Sequence, residues 1–202
     1  MPSSDQTAQV TTVEGMPGAG KTTLLAALAG RGHTVLPEYT TATGDVLALD
    51  RHPHHADEDS HLTNWLTKSA HLRAAAGPVW VDRDWLTALA WSASTGDLAQ
   101  RAAWAFGHLR AGRLLVPQRW IVLDLPPHLS LKRRTTRLAA GHPWSDPNVL
   151  HRLRAFYLDP PTALDRAHPA LAELVASVPR QDLDAGLPPQ ALANAVAPAG
   201  AR

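Results

Sequence analysis

One short segment near the start of the chain constrains the fold more than any other feature. Residues 15–22 read Gly-Met-Pro-Gly-Ala-Gly-Lys-Thr and fit the spacing G-x-x-x-x-G-K-[ST]. The apolar stretch Val10–Glu14 before this segment is typical of a buried strand, and the Ala- and Leu-rich stretch Lys21–Ala29 is typical of a helix. Glycines in such a turn let backbone N–H groups face a phosphate, and the helix adds the positive end of its dipole. The segment therefore predicts a phosphate loop.

The loop motif also predicts what is bound and by which side chains. Lys21 supplies a charge for the β- and γ-phosphates, and the Thr22 hydroxyl is suited to ligate Mg²⁺. A match by chance is rare because only three of the 19 basic residues are lysines. We expect ATP with Mg²⁺, although the motif does not decide between ATP and GTP. The predicted nucleotide-binding residues are Gly15, Pro17, Gly18, Ala19, Gly20, Lys21, Thr22 and Thr23.

Composition limits the remaining function classes. A chain of 202 residues with a net charge of +1 and no cysteine is long enough for one domain and too balanced in charge for a generic nucleic-acid binder. Disulfides and cysteine-ligated zinc are excluded. We expect a cytoplasmic protein without membrane association, because no signal peptide or membrane-spanning run is evident. The expected organisation is a disordered tail at 1–9, a single domain at 10–197 and a frayed end at 198–202.

Short apolar segments alternate with helical patterns along the chain. This alternation predicts an α/β fold, a parallel sheet of about five strands with helices on both faces. The expected strands are Val10–Glu14, Thr34–Leu36, Val79–Val81, Trp120–Leu125 and one within Ser177–Asp184. The expected helices are Lys21–Ala29, His61–Ala76, Asp84–Ser94, Leu98–Ala111, Leu129–Ala140, Asn148–Leu158, Thr162–Val175 and Pro189–Val196, with one further helical turn at Val46–Leu49.

Charged residues follow two of the predicted strands. Glu38 comes after the second strand, and Asp82, Arg83 and Asp84 come after the third. The carboxyl ends of strands line the ligand crevice of such a sheet, so we expect Glu38 to act as a base toward a hydroxyl. Arg83 would bridge acceptor and donor phosphates, and Asp82 would hold Mg²⁺ with Thr22. The structural alternatives are a solvated loop glutamate and a helix cap made by Asp82 or Asp84.

A basic helix follows the fourth strand and is the candidate for a lid at about 128–146. Arg133 and Arg137 are four residues apart and share one face of this helix. Two arginines that close over the γ-phosphate would neutralise charge on the transferring group. The alternative is an ordinary solvated basic helix.

Aromatic and histidine residues crowd the middle of the sequence. Trp65 and Trp85 are candidates to stack on a flat acceptor, with Tyr39 beside the base, although core packing is the alternative for any tryptophan. The histidine- and acid-rich segment 51–61 is either a mobile flap over the acceptor or a zinc or nickel site.

The phosphate loop together with "TVLPEYT", "VDRD" and "LKRRTTR" resembles the deoxynucleoside kinase and thymidylate kinase superfamily of phosphate-loop kinases. The motifs occur in that superfamily's order over about residues 10–158. The resemblance implies that Glu38 is the base, that Asp82 and Arg83 match a carboxylate–arginine pair, and that Arg133 and Arg137 match the lid arginines. It also implies a homodimer. Asn64 is the nearest match to the glutamine with which members of that superfamily recognise the nucleobase.

These features favour an ATP-dependent phosphotransferase that moves the γ-phosphate to a hydroxyl or phosphate of a small molecule. The most favoured acceptor is a nucleoside or nucleotide. An antibiotic or other secondary metabolite is the alternative acceptor. A nucleotide-dependent regulatory ATPase is the alternative of another class. A guanine-reading N-K-x-D segment is absent from the sequence, as is an apolar strand that ends in Asp-Glu.

Overall fold

The computed structural model describes residues 8–39, 58–134 and 142–197. In this part of the chain, five parallel strands form one sheet in the order β2-β3-β1-β4-β5. The predicted α/β fold with about five parallel strands is therefore confirmed. The strands are β1 (Gln9–Gly15), β2 (Thr34–Leu36), β3 (Pro78–Asp82), β4 (Arg119–Asp124) and β5 (Arg180–Asp184).

Helices connect these strands. They are α1 (Lys21–Ala29), α2 (Glu58–Ala74), α3 (Trp85–Thr95), α4 (Leu98–Arg110), α5 (Pro127–Arg134), α6 (Pro147–Leu158), α7 (Pro160–Asp165), α8 (Pro169–Ser177) and α9 (Pro189–Val196), with a 3₁₀ turn at Pro143–Ser145. The predicted bounds of α1, β2 and α9 are reproduced. The expected helical turn at Val46–Leu49 lies outside the described residues.

Alternate strand residues bury their side chains on opposite faces of the sheet. In β3, Val79 and Val81 pack with Leu72 of α2, whereas Trp80 belongs to the larger apolar cluster that also holds Leu24 of α1. Helices therefore cover both faces, as predicted. None of the helices in the described ranges is both long and apolar enough to cross a bilayer.

Two sequence expectations need correction. Gln9, assigned to the disordered tail, is the first residue of β1 and donates its N–H to the Gly77 carbonyl at 3.0 Å. The single helix expected over Thr162–Val175 is two helices, α7 and α8. Pro169 begins the second helix because its ring cannot continue the first, and His168 caps it by accepting the Leu171 N–H at 3.2 Å.

Strand order determines which residues lie together at the edge of the sheet. The chain returns from β2 to β3 beside β1 and then crosses to β4 on the other side of β1. The carboxyl ends of β1, β2 and β3 consequently meet at one edge, next to the point where the strand order reverses. The residues that follow these strands are those predicted to bind ligands.

Candidate active site

The phosphate loop joins β1 to α1. Gly20, in the left-handed conformation at φ 89°, is the residue that immediately precedes α1. Lys21 folds back so that its ammonium group donates to the carbonyls of Gly15 at 3.0 Å and Met16 at 2.8 Å. The Lys21 side chain thus reaches across the loop. The loop connects a strand to a helix, as the motif predicted.

Helix α5 is fastened to the outside of this loop. The Ser130 hydroxyl donates to the Pro17 carbonyl at 2.7 Å, and the Arg133 guanidinium donates to the Gly18 carbonyl at 3.1 Å. Arg133 also donates to the Ala185 carbonyl at 3.2 Å, so it links the phosphate loop to the turn after β5. A role for Arg133 at the γ-phosphate stays a prediction. Arg137 and residues 135–141 of the expected lid lie outside the described residues.

A hydroxyl and a carboxylate meet at the start of α1. Thr22 Oγ1 donates to Asp82 Oδ2 at 2.9 Å, and Asp82 Oδ1 is buried without a hydrogen-bond partner. Burial and the neighbouring Glu38 charge raise the pKa of Asp82 above its ordinary value. A divalent cation would relieve both penalties, because Mg²⁺ prefers hydroxyl and carboxylate oxygens. The two residues predicted to hold Mg²⁺ are therefore adjacent, and their chemistry fits the ion.

Asp82→Asn tests this metal corner. The variant keeps the shape of the side chain and removes the negative charge, so we expect the Mg²⁺ concentration for half-maximal Mg·ADP binding to rise about tenfold. Nucleotide binding without metal should change little. Isothermal calorimetry at several Mg²⁺ concentrations measures both quantities, with exposed Asp165→Asn as the control. An unchanged Mg²⁺ dependence in Asp82→Asn would remove Asp82 from the metal site.

The predicted base and the predicted arginine form an ion pair. Arg83 Nε lies 3.3 Å from Glu38 Oε1. The Glu38 side chain remains 29% exposed, whereas Arg83 is buried. Arg83 has φ 64° and is the only non-glycine residue in the described ranges with a positive φ. A left-handed conformation costs energy for such a residue, and here it turns the guanidinium toward the end of β2. The structure thus brings together the two residues predicted for the acceptor.

Sequence reasoning missed a third charged residue, Glu14, the residue before the phosphate loop. Its Oε1 accepts the Asp84 N–H at 2.9 Å, and its Oε2 accepts the hydroxyls of Thr87 at 2.7 Å and Tyr157 at 2.9 Å. Arg83 Nη1 lies 3.8 Å from the same oxygen. Complete burial, and next the charge of Asp84, raises the pKa of Glu14 to about 7. The guanidinium is therefore held between two carboxylates.

The Asp-Arg-Asp segment divides its roles between its members. Asp84 Oδ1 accepts the Leu86 N–H at 2.8 Å and caps α3, which supports the structural alternative for this residue. Asp82 faces Thr22 instead. The capping alternative therefore holds for Asp84, and the Mg²⁺ role of Asp82 stays a prediction.

The stacking role predicted for Trp85 is wrong. The side chain is 1% exposed, its indole N–H donates to the Leu115 carbonyl at 2.9 Å, and its ring packs edge-on against Trp120 with centroids 5.8 Å apart. Trp85 begins α3, and the Asp84 cap that starts this helix turns the indole into the core. Neither ring face is available to a ligand.

Tyr39 and Trp65 lie beside the acceptor residues and are also buried. Their rings stack with centroids 6.2 Å apart, and the Tyr39 hydroxyl is 3.2 Å from His61 Nδ1. Asn64 donates its side-chain N–H to the Glu38 carbonyl at 2.9 Å, so this amide supports the backbone that follows β2. Contact of Asn64 with a nucleobase stays a prediction. Contact of Tyr39 and Trp65 with an acceptor stays a prediction. Residues 51–57 of the histidine-rich segment lie outside the described residues.

The buried ammonium of Lys21 gives a test of nucleotide binding. Burial, and next the nearby Arg83 cation, lowers the pKa of Lys21 to about 7. Phosphate charge would raise it again, so binding at pH 8 should take up about one proton, and binding at pH 6 about none. Calorimetry in buffers of different ionisation enthalpy measures the uptake. Glu14→Gln and Lys68→Gln separate the contributions of two further buried groups, whose pKa values are about 7 and about 8. Zero uptake at pH 8 would contradict the prediction.

Comparison with known proteins agrees with this fold. A family model described as an AAA domain matches residues 11–135, and no curated protein sequence matches the chain. Deoxyadenosine kinase from M. mycoides, solved with bound dATP, superposes with a TM-score of 0.61 at 14% identity, over 93% of this chain and 96% of that chain. The YorR protein from Bacillus subtilis, solved with phosphorylated GDP, gives 0.52 at 12% identity, over 93% and 92%. The chain belongs to the AAA domain family and has the phosphate-loop kinase fold.

Proposed function

We propose that this protein is an ATP-dependent phosphotransferase that moves the γ-phosphate to a hydroxyl group of a small molecule. One observation carries the proposal. The Glu38 carboxylate, paired with Arg83 at 3.3 Å, lies at the same sheet edge as the Thr22–Asp82 pair and the phosphate loop. A partly exposed carboxylate beside a nucleotide site is suited to receive the proton of an attacking hydroxyl.

The proposed step uses groups already in place. The acceptor hydroxyl gives its proton to Glu38 while its oxygen forms a bond to the γ-phosphorus, and the bond from that phosphorus to the β-phosphate oxygen breaks to release ADP. Lys21 and the loop N–H groups hold the phosphates, and Arg83 orients Glu38. Thr22 and Asp82 would hold Mg²⁺, which withdraws charge from the phosphate oxygens when bound.

A hydroxyl is a better fit to this site than a phosphate acceptor. A phosphate brings two negative charges and needs free cations, but Arg83 already faces both Glu14 and Glu38. An acceptor phosphate would also meet the Glu38 carboxylate, which repels it. A phosphate oxygen is ionised near neutral pH and needs no base, whereas a hydroxyl does.

The nucleoside class is the leading acceptor. Support comes from the similar deoxyadenosine kinase structures, one solved with dATP and one with the products dCMP and dCDP. At 14% identity these matches carry the fold and leave the acceptor to experiment. An antibiotic or other metabolite with an accessible hydroxyl fits the same chemistry.

Thermal shift with Mg²⁺ and a non-hydrolysable ATP analogue tests the proposal. Ligands that bind only the folded protein raise its melting temperature. We expect the analogue to raise it, and a nucleoside or hydroxyl-bearing antibiotic to raise it further, while the matching nucleoside monophosphate adds less. A shift with nucleotide alone would favour the regulatory ATPase. A larger shift with the monophosphate would contradict the hydroxyl acceptor. The homodimer and the cytoplasmic location stay predictions.

A further inference from the structure

Lys68 is a buried cation that the proposed reaction has not used. It lies on α2 with only 2% of its surface exposed. An ammonium group has three N–H donors and no acceptor. Burying it is costly unless each donor finds a partner. The partners of Lys68 therefore show what its burial achieves.

All three partners are backbone carbonyls of the acceptor site. The Lys68 ammonium donates to the carbonyls of Arg83 at 2.8 Å, Glu38 at 3.2 Å and Asp82. Asn64, one turn earlier on α2, donates to the same Glu38 carbonyl at 2.9 Å. One helix face thus holds the chain just after β2 and the chain at the end of β3.

The backbone at this point needs external support. Arg83 has a left-handed φ of 64°, a conformation that is strained in a residue with a side chain. The carbonyls on either side of this turn, of Asp82 and Arg83, both face the Lys68 ammonium. The ring of Trp65 lies 5.3 Å from the same nitrogen. These contacts stabilise the turn that directs Arg83 toward Glu38.

We propose that Lys68 is a positioning residue that sets the distance between the proton acceptor Glu38 and the metal carboxylate of Asp82. It acts through backbone carbonyls and does not touch the reacting atoms. The idea deepens the proposed phosphotransferase function and rests on it for its kinetic consequence. Its geometric consequence, the placement of Asp82 beside Thr22, stands on the hydrogen bonds alone.

Lys68→Met is the first variant. The aliphatic stem remains and the three donors are lost, so the ends of β2 and β3 should move apart. We expect kcat to fall about 100-fold, as for other small misplacements of catalytic groups. Affinity for the metal-free ATP analogue should stay within about threefold, because the phosphate loop is untouched. Lys68→Gln, which keeps two N–H donors, should show a smaller loss in the same direction and serves if Lys68→Met does not fold.

A metal-affinity readout separates this proposal from the proposed function. Electron paramagnetic resonance measures Mn²⁺ binding to the protein with ADP, which requires no acceptor. We expect Lys68→Met to weaken Mn²⁺ binding about tenfold. If the wild-type protein phosphorylates no acceptor, the proposed function fails, and the Mn²⁺ measurement still decides the role of Lys68.

The control is Arg73→Met on the same helix. Arg73 is exposed and also donates to backbone carbonyls, those of Gly112 at 2.6 Å and Arg113 at 2.8 Å. We expect kcat and Mn²⁺ affinity to be unchanged in this variant. Native Mn²⁺ affinity in Lys68→Met and Lys68→Gln would overturn the proposal. So would equal losses in Lys68→Met and Arg73→Met, because these would reflect general destabilisation.

Restoration of the amine provides a rescue. The chain has no cysteine, so Lys68→Cys carries a single thiol that can be aminoethylated after unfolding, which gives a side chain of nearly lysine length. We expect the refolded, aminoethylated protein to recover Mn²⁺ affinity and kcat to within about threefold of wild type. An S-ethylated sample, which has no N–H donor, should not recover. Equal behaviour of the two samples would contradict a role for the ammonium.

Discussion

Glu38→Gln is expected to lower kcat for phosphoryl transfer by about 10²–10⁴-fold, the range typical for removal of a general base. The amide keeps the size of the side chain but takes up no proton from the acceptor hydroxyl. It also loses the ion pair in which Glu38 Oε1 lies 3.3 Å from Arg83 Nε. The affinity for the ATP analogue should stay nearly unchanged, because Lys21 and the loop N–H groups are intact. Steady-state kinetics with a saturating acceptor, together with calorimetry, measures both quantities.

The matched control is Glu173→Gln on α8, which removes an exposed carboxylate remote in sequence from the site. It should retain full kcat. Wild-type turnover in Glu38→Gln would exclude Glu38 as the base, and equal loss of analogue binding would indicate collapse of the site.

Gly15→Ala is expected to have the largest effect on stability. Gly15 has φ 127° and pairs with Leu123 across β1 and β4. A Cβ atom there would lie closer than 3.0 Å to the Leu123 carbonyl oxygen, which is backbone and cannot turn aside. We expect the free energy of unfolding to fall by about 4 kcal/mol, since strain and overlap act together. Urea unfolding followed by circular dichroism measures the loss.

Gly32→Ala isolates the conformational part of that effect. Gly32 has φ 87°, and an added Cβ would meet nothing within 4 Å. This variant should lose only about 1–2 kcal/mol, the cost of a left-handed conformation for alanine. Similar losses in the two variants would show that β4 yields to the added methyl group. In that case the close contact of the phosphate loop with β4 would not constrain the loop.

Local patterns in the sequence were sufficient for the sheet and the phosphate loop. The motif at Gly15–Thr22 specifies a strand, a turn and a helix by adjacent residues, and alternation of strands and helices then limits the topology. The expected single helix over Thr162–Val175 is wrong because the apolar periodicity continues across Pro169, where the chain breaks into two helices. Proline inside such a pattern ends a helix and begins another.

The supports of the site depend on contacts between distant segments, and local patterns do not reveal them. Glu14 carries a signal that was overlooked: a charged residue at the end of an apolar parallel strand must find partners inside the protein. Lys68 carries a second one, because it lies three residues after Trp65 and four before Leu72 on the buried face of α2. The carbonyls that it binds come from the chain just after β2 and from the end of β3, which are distant from Lys68 in sequence. The stacking role predicted for Trp85 is wrong for a related reason, because the local sequence does not show which way its indole turns.

The most direct test of the proposed reaction is to count products. Wild-type protein is incubated with Mg·ATP and the acceptor that gives the largest thermal shift, and ADP and phosphorylated acceptor are quantified together by chromatography and mass spectrometry. We predict one phosphorylated hydroxyl for each ADP formed, and ADP formation that accelerates when the acceptor is added. ADP formed at the same rate with and without acceptor, with no phosphorylated product, would contradict the account and favour a regulatory ATPase.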